Sequence, residues 1–141
     1  PSYDGKYLMF NLMDYGYFSI WHKESDLWLV NLETGASFPL EAANSEDADS
    51  YHNWSIGSHW FVFTSRRENG LYSQLYLSCI DDEGKPTKPF LLPQKDPKKY
   101  YATTLYSFNT PDFTSRPVEF DSRAASSAIS SDKRIPTSIK Q

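Results

Sequence analysis

The sequence predicts an all-β protein assembled from two copies of one sheet-forming unit. Three observations carry that prediction. The stretch "SYDGKYLMF" at residues 2–10 returns as "SIGSHWFVF" at residues 55–63. Aromatic residues make up 16% of a chain that is only 39% hydrophobic, with ten Tyr, nine Phe and four Trp among 141 residues, and such side chains favour strands and bury large areas. No long window keeps the i, i+3, i+4 apolar spacing of an amphipathic helix.

The first element is a serine-led turn running into a strand. Aligning Ser2 with Ser55 sets Gly5 over Ser58, Tyr7 over Trp60, Leu8 over Phe61, Met9 over Val62 and Phe10 over Phe63. Each strand carries large side chains on both faces, the pattern of a strand buried from two sides. A second strand follows, "DLWLVNLETG" at 26–35 against "QLYLSCIDDEG" at 74–84, matching Leu27, Trp28 and Leu29 with Leu75, Tyr76 and Leu77. Both end in an acidic, glycine-closed hairpin turn. Third come the short, proline-bearing stretches "ASFPL" and "KPFLLP", as outer edge strands tend to be.

The repeat is about 50 residues long, within the range of propellers and solenoids. The expected fold is therefore a partial β-propeller: two four-stranded antiparallel blades plus a closing segment. Residues 1–40 form the first blade, with an incomplete inner strand and an insertion at 14–25. Residues 41–95 form the second. A closing segment spans 96–120, with a short helix or strand near Pro97 and an extended strand near 116–120. Residues 121–141, rich in Ser and Ala, are expected to be a flexible or strapping tail. The chain starts at Pro1 inside a strand-turn element and reads as a piece of something longer.

Composition also limits function. The net charge of −4 disfavours a nucleic-acid backbone as partner. A single cysteine, Cys79, excludes an internal disulfide and a cysteine zinc cage. No apolar run approaches the roughly 20 residues that span a bilayer.

Several residues invite a chemical reading. His22, in "SIWHKES", lies in the insertion, where a loop on a rigid scaffold can carry binding; otherwise Trp21 anchors the loop and His22 bonds a backbone carbonyl. His52, Ser55 and Asp49 suggest a hydrolytic triad, but no Gly-x-Ser-x-Gly elbow is present and Ser55 belongs to the repeated turn. His22, His52 and His59 lack ligand spacing, and Glu41, Glu46, Asp47 and Asp49 lack a calcium-loop pattern, so neither metal nor cofactor is expected. Arg66 and Arg67 could meet a partner's carboxylate, or act as strand-end charges of small effect.

"SYDGKYLMF" resembles the "SPDGKxIAF" signature of TolB-like, WD-repeat-like β-propellers. "YHNWSIGSHWFVFTSRRENGLYSQLYL" is similar to its fuller form, in which a His-x-x-Trp-Ser stretch precedes the turn. The likeness extends to envelope-associated TolB-like proteins of the Bacteroides type and covers roughly residues 1–118. Copy one departs at Tyr3, where the pattern prefers Pro, and copy two at Ile56, Gly57 and Ser58, which implies a looser turn.

The resemblance implies a non-enzymatic binding or scaffold module in the periplasm or cell envelope, with a protein or peptidoglycan-associated partner. It also implies that Ser2, Gly5, His52, Trp54, Ser55 and Ser58 maintain the repeat, His52 by tying blade to turn. Partner contacts are expected at Tyr17, Trp21, His22, Arg66 and Arg67. Two alternatives stand beside it: the propeller of a peptidase or hydrolase whose catalytic part is absent here, and a carbohydrate-binding propeller. Because two blades cannot close a ring, their outer faces need either the remaining blades of a parent chain or self-association.

Overall fold

A computed structural model describes residues 1–133, and the last part of the expected tail lies outside them. The first sheet contains β1 (Tyr7–Leu12), β2 (Asp26–Asn31) and β3 (Ser37–Pro39), antiparallel in the order β1-β2-β3. The second contains β4 (Asp49–Trp54), β5 (Trp60–Ser65), β6 (Gln74–Cys79) and β7 (Phe90–Leu91), antiparallel in sequence order. The all-β expectation holds, and the first sheet, expected with an incomplete inner strand, has three strands against the four of the second. A short 3-10 turn, Ser19–Trp21, sits in the insertion. Among the described residues two helices follow the sheets, α1 (Pro97–Thr103) and α2 (Ser122–Ile129).

The repeat is visible atom by atom. In the first copy Ser2 N–H donates to the Tyr7 carbonyl at 2.8 Å, and Tyr7 N–H donates back to Ser2 Oγ at 3.0 Å. In the second, Ser55 N–H donates to the Trp60 carbonyl at 2.8 Å and Trp60 N–H to Ser55 Oγ at 3.3 Å. The serine thus closes the turn with both its backbone and its hydroxyl. Gly5 stands at φ 74° and Ser58 at φ 60°. The second turn therefore keeps the same left-handed geometry without the glycine that favours it. Ser58 is held there because its hydroxyl accepts from Asp4 N–H at 2.9 Å, linking the two turns. The hairpins repeat as well: Gly35 N–H reaches the Asn31 carbonyl and Gly84 N–H the Asp81 carbonyl.

The sheets stack face to face. Tyr7, Met9, Leu27 and Leu29 from the first meet Trp54, Phe61, Phe63 and Tyr76 from the second in one core, closed by Leu40, Ala43 and Ile80. The rings of Phe61 lie between those of Trp54 and Phe63, with centroids 5.8 and 5.7 Å away. Offset and tilted contacts of this kind add to simple area burial. At Gly84, φ 84°, an added Cβ would fall 3.1 Å from Phe38 and 3.2 Å from Tyr7, so the β6–β7 turn approaches the first sheet closely.

Two expectations about the C-terminal part differ from the structure. Residues 116–120 form no strand and are exposed, because Pro117 removes a ladder donor and no sheet edge receives the segment. Within the expected tail, α2 forms instead. Asp121 caps it, accepting from Arg123 and Ala124 N–H, and the following alanines are strong helix formers.

Because neighbouring residues on β1 and β5 face opposite ways, truncations should separate sharply. Phe61→Ala is expected to cost about 3–5 kcal/mol. Leu8→Ser, on the open face of β1, should shift stability by about 0.5 kcal/mol or less. Urea denaturation followed by tryptophan fluorescence measures both.

Candidate functional site

The insertion between β1 and β2 is organised around His22. Gly16, at φ 79°, turns the chain back beside the imidazole. The ring's Nε2–H donates to the Tyr17 carbonyl at 3.1 Å, Nδ1 faces Glu24 Oε1 at 3.2 Å, and the Tyr15 ring meets it edge-on at 4.8 Å. His22 thus clasps its own loop. Trp21, expected to anchor the loop, is instead 71% exposed, and Tyr17 is 84% exposed.

Arg66, just after β5, fixes this display to the second sheet. Its Nη1 donates to the Ile20 carbonyl at 3.3 Å and its Nη2 to the Leu71 carbonyl at 3.1 Å. Its guanidinium carbon stands 5.2 Å from the centre of the Trp21 ring, within cation–π range. The aromatic surface is therefore exposed but tethered, and pays less entropy on binding than a free loop would.

Beside it lies a cleft of about 290 Å³ lined by Phe18, Ile20, Trp21, Tyr51, Ser107, Phe108 and Asn109. Two of its residues are non-glycines in left-handed conformation, Phe18 at φ 60° and Tyr51 at φ 46°. Tyr51 sits where the β4–β5 register slips between Ser50 and Asn53, a bulge that re-aims its side chain. Such conformations cost roughly 1–3 kcal/mol each and cluster at functional positions. The far wall is held by Phe108 N–H donating to the Ser73 carbonyl at 2.9 Å, while Ser73 Oγ donates to the Phe108 carbonyl. Asn53 reaches Asp112 Oδ1 at 3.0 Å.

Arg67 points the other way, into the protein. It donates to Asp49 Oδ1 at 2.7 Å, to the Ala43 carbonyl at 2.6 Å and to Ser65 Oγ at 2.7 Å. Its guanidinium carbon lies 4.5 Å from the Tyr76 ring centre and 5.4 Å from that of Phe63. Asp49 is fully buried. Burial pushes its carboxyl above the ordinary value, against the pull of Arg67 and of hydrogen bonds from Ser65 and Ser45. Burial also raises the Tyr76 phenol, which donates to Glu68 Oε1 at 2.6 Å.

Ser55, His52 and Asp49 do not form a relay. Ser55 Oγ accepts from Trp60 within the turn, Asp49 is taken by Arg67, and His52 Nδ1 is buried with no partner. Among the described residues no group of three His, Cys, Asp or Glu could hold a metal ion. A larger open hollow of about 850 Å³ includes Lys23, Asp26, Glu41, Glu46, Asp47 and Arg67. Burial, with a smaller contribution from Asp49, raises the Asp26 carboxyl there.

No protein-family model, curated protein or solved structure matches this chain. Of the expected contacts, the structure brings Tyr17, Trp21, His22 and Arg66 into one neighbourhood and turns Arg67 away from them, half-buried against Asp49. It adds Phe18, Tyr51 and Phe108, which sequence reasoning did not select. Tyr51 carries no turn residue to announce its bulge, and Phe108 arrives from the closing segment.

His52 gives a pH test. Burial holds its pKa below the ordinary histidine value, opposed by a backbone hydrogen bond with Met9. The unfolded chain therefore binds a proton at higher pH than the folded one does. Stability linked to His52 is present above about pH 6.5 and falls as pH drops through that value toward the folded pKa. Urea midpoints measured from pH 8 to pH 5.5 should decline less in His52→Asn than in the native protein.

Proposed function

We propose that this chain is a non-enzymatic protein-binding scaffold made of TolB-like propeller blades and working at the cell envelope. The observation that carries the reading is the tethered aromatic surface of Tyr17, Phe18 and Trp21, clamped by Arg66 beside a cleft with strained walls. Exposed aromatics on a rigid support, next to an arginine, are the usual makings of a protein interface hot spot. The repeated serine turns and hairpins support the blade assignment, and the resemblance to TolB-like proteins supports the envelope setting and a protein or peptidoglycan-linked partner. Among the described residues no helix is long and apolar enough to cross a membrane.

A carbohydrate-binding reading has its own support, since the cleft mixes aromatic walls with the polar groups of Ser107 and Asn109. The two separate experimentally. Envelope extract passed over immobilised protein should yield specific protein partners, retained at least tenfold less by Trp21→Ala with Arg66→Ala. A glycan array should stay blank. Glycan binding lost in the same double variant would favour the sugar reading. Peptide or ester hydrolysis abolished by Ser55→Ala would overturn both.

A further inference from the structure

The β4 bulge sets two residues back to back in opposite surroundings. Ladder pairing with β5 runs through Asp49 and Ser50, skips Tyr51 and His52, and resumes at Asn53 and Trp54. Tyr51, held at φ 46°, lines the cleft with Phe18, Ile20, Trp21 and Phe108. His52 points the other way, to the backbone of Met9 on β1, and its Nδ1 is shut off from solvent with no partner. A neutral imidazole tolerates this, because Nδ1 is then only an idle acceptor. In an imidazolium the same atom becomes a charged donor enclosed without an acceptor, which is far costlier. Among the described residues no carboxylate is free to receive it. β5 and the Ser19–Trp21 turn, both packed against β4, carry no titratable side chain. His22, just past that turn, is held by Tyr17 and Glu24. Tyr7 on β1 donates to the Asp82 carbonyl, Asp26 on β2 lies near Asp49, Asp49 is taken by Arg67, and Asp112 by Asn53. The charge that does reach His52 is the amino group of Pro1, of like sign.

We propose that this bulge is an acid-operated latch on the aromatic cleft: when His52 gains a proton, the bulge opens to let water reach Nδ1, and the wall that Tyr51 gives the cleft is lost. The bulge is where β4 yields first, since its two residues have no ladder partners on β5 while those on either side do. Opening also lets Tyr51 leave a costly left-handed conformation. Asn53, the next residue along, donates to the Pro111 carbonyl at 3.4 Å and to Asp112 Oδ1 at 3.0 Å, so the segment that supplies Phe108 loosens with it. The linkage is reciprocal: an occupant of the cleft that packs on Tyr51 holds the bulge shut and keeps His52 neutral. The cleft is thus complete at neutral pH and dismantled in acid, with histidine as the sensor. The inference rests on the binding reading above for the purpose of the cleft, but not for the working of the latch.

Nuclear magnetic resonance on the whole chain, carrying isotope-labelled histidine and fluorotyrosine, tests the latch without any ligand. The pH is lowered from about 7.5 until the protein unfolds, with the Tyr51 signal assigned through Tyr51→Phe and the core followed through Tyr76. The Tyr51 signal should shift with the same midpoint as the His52 ring, below the ordinary histidine value of about 6.5, while the Tyr76 signal stays native. In His52→Asn the Tyr51 shift should vanish over that range. His52→Gln takes its place if the near-ultraviolet circular dichroism of the first variant is not native, and the comparison of midpoints in the native chain stands without either. A Tyr51 signal that stays still while His52 titrates overturns the proposal. So does a Tyr51 shift that survives in His52→Asn and follows the His22 ring. A His52 that gains its proton only as the Tyr76 signal is lost also overturns it, because the whole chain is then unfolding. A still Tyr51 in a protein whose partner capture depends on Trp21 would remove this inference and leave the binding reading in place. A working latch in a protein that captures nothing would do the reverse.

Discussion

The buried contact between Asp49 and Arg67 is the constraint on which most of the structure depends. Asp49 begins β4, and its backbone is shared with the first sheet: its N–H donates to the Ser25 carbonyl, and its own carbonyl accepts from Asn11 and Ser25 side chains. Its carboxylate holds the preceding loop through Ser45. Arg67 returns from the end of β5, ties Ala43 and Ser65, and lies over the rings of Tyr76 and Phe63. The ion pair therefore joins the second sheet, the loop before it and the aromatic core, while the backbone of Asp49 ties the same strand to the first sheet. Removing one partner would leave a charge uncompensated in the interior, far costlier than losing an exposed pair.

That arrangement also explains the division of labour between two adjacent arginines. Arg67 follows the inward parity of Ser65 and so meets the core. Arg66 emerges on the opposite side and reaches over the insertion to Ile20 and Trp21. A rigid interior thus props a rigid exterior: the aromatic loop is positioned by a residue whose neighbour is bolted to Asp49. The strained conformations of Phe18 and Tyr51 persist because the elements on either side of them are fixed in this way.

The sheet architecture was largely legible because large residues on alternating sides of Tyr7–Leu12 and Trp60–Ser65 leave few other options. The turn equivalence of Ser2 and Ser55 was legible too, even though Ser58 stands where Gly5 does, since the serine hydroxyl supplies the same bond in both. Asp49 was not. Within "NSEDADS" it reads as one more solvated acid, and only the chain's return at Arg67 makes it a buried anchor. Nor does the sequence announce the bulge at Tyr51, which arises from the mismatch between β4 and β5 rather than from a turn-forming residue. The helix after Asp121 follows from a capping detail that composition hides.

A double-mutant cycle on Asp49→Asn and Arg67→Met, read by urea denaturation at pH 7, tests the central claim most directly. Each single change should cost about 3–5 kcal/mol, and the double variant should be clearly more stable than the sum of the two losses, with a coupling of about 2–3 kcal/mol. Losses that simply add, within about 0.5 kcal/mol, would mean the pair does not act as a unit and the account built on it is wrong.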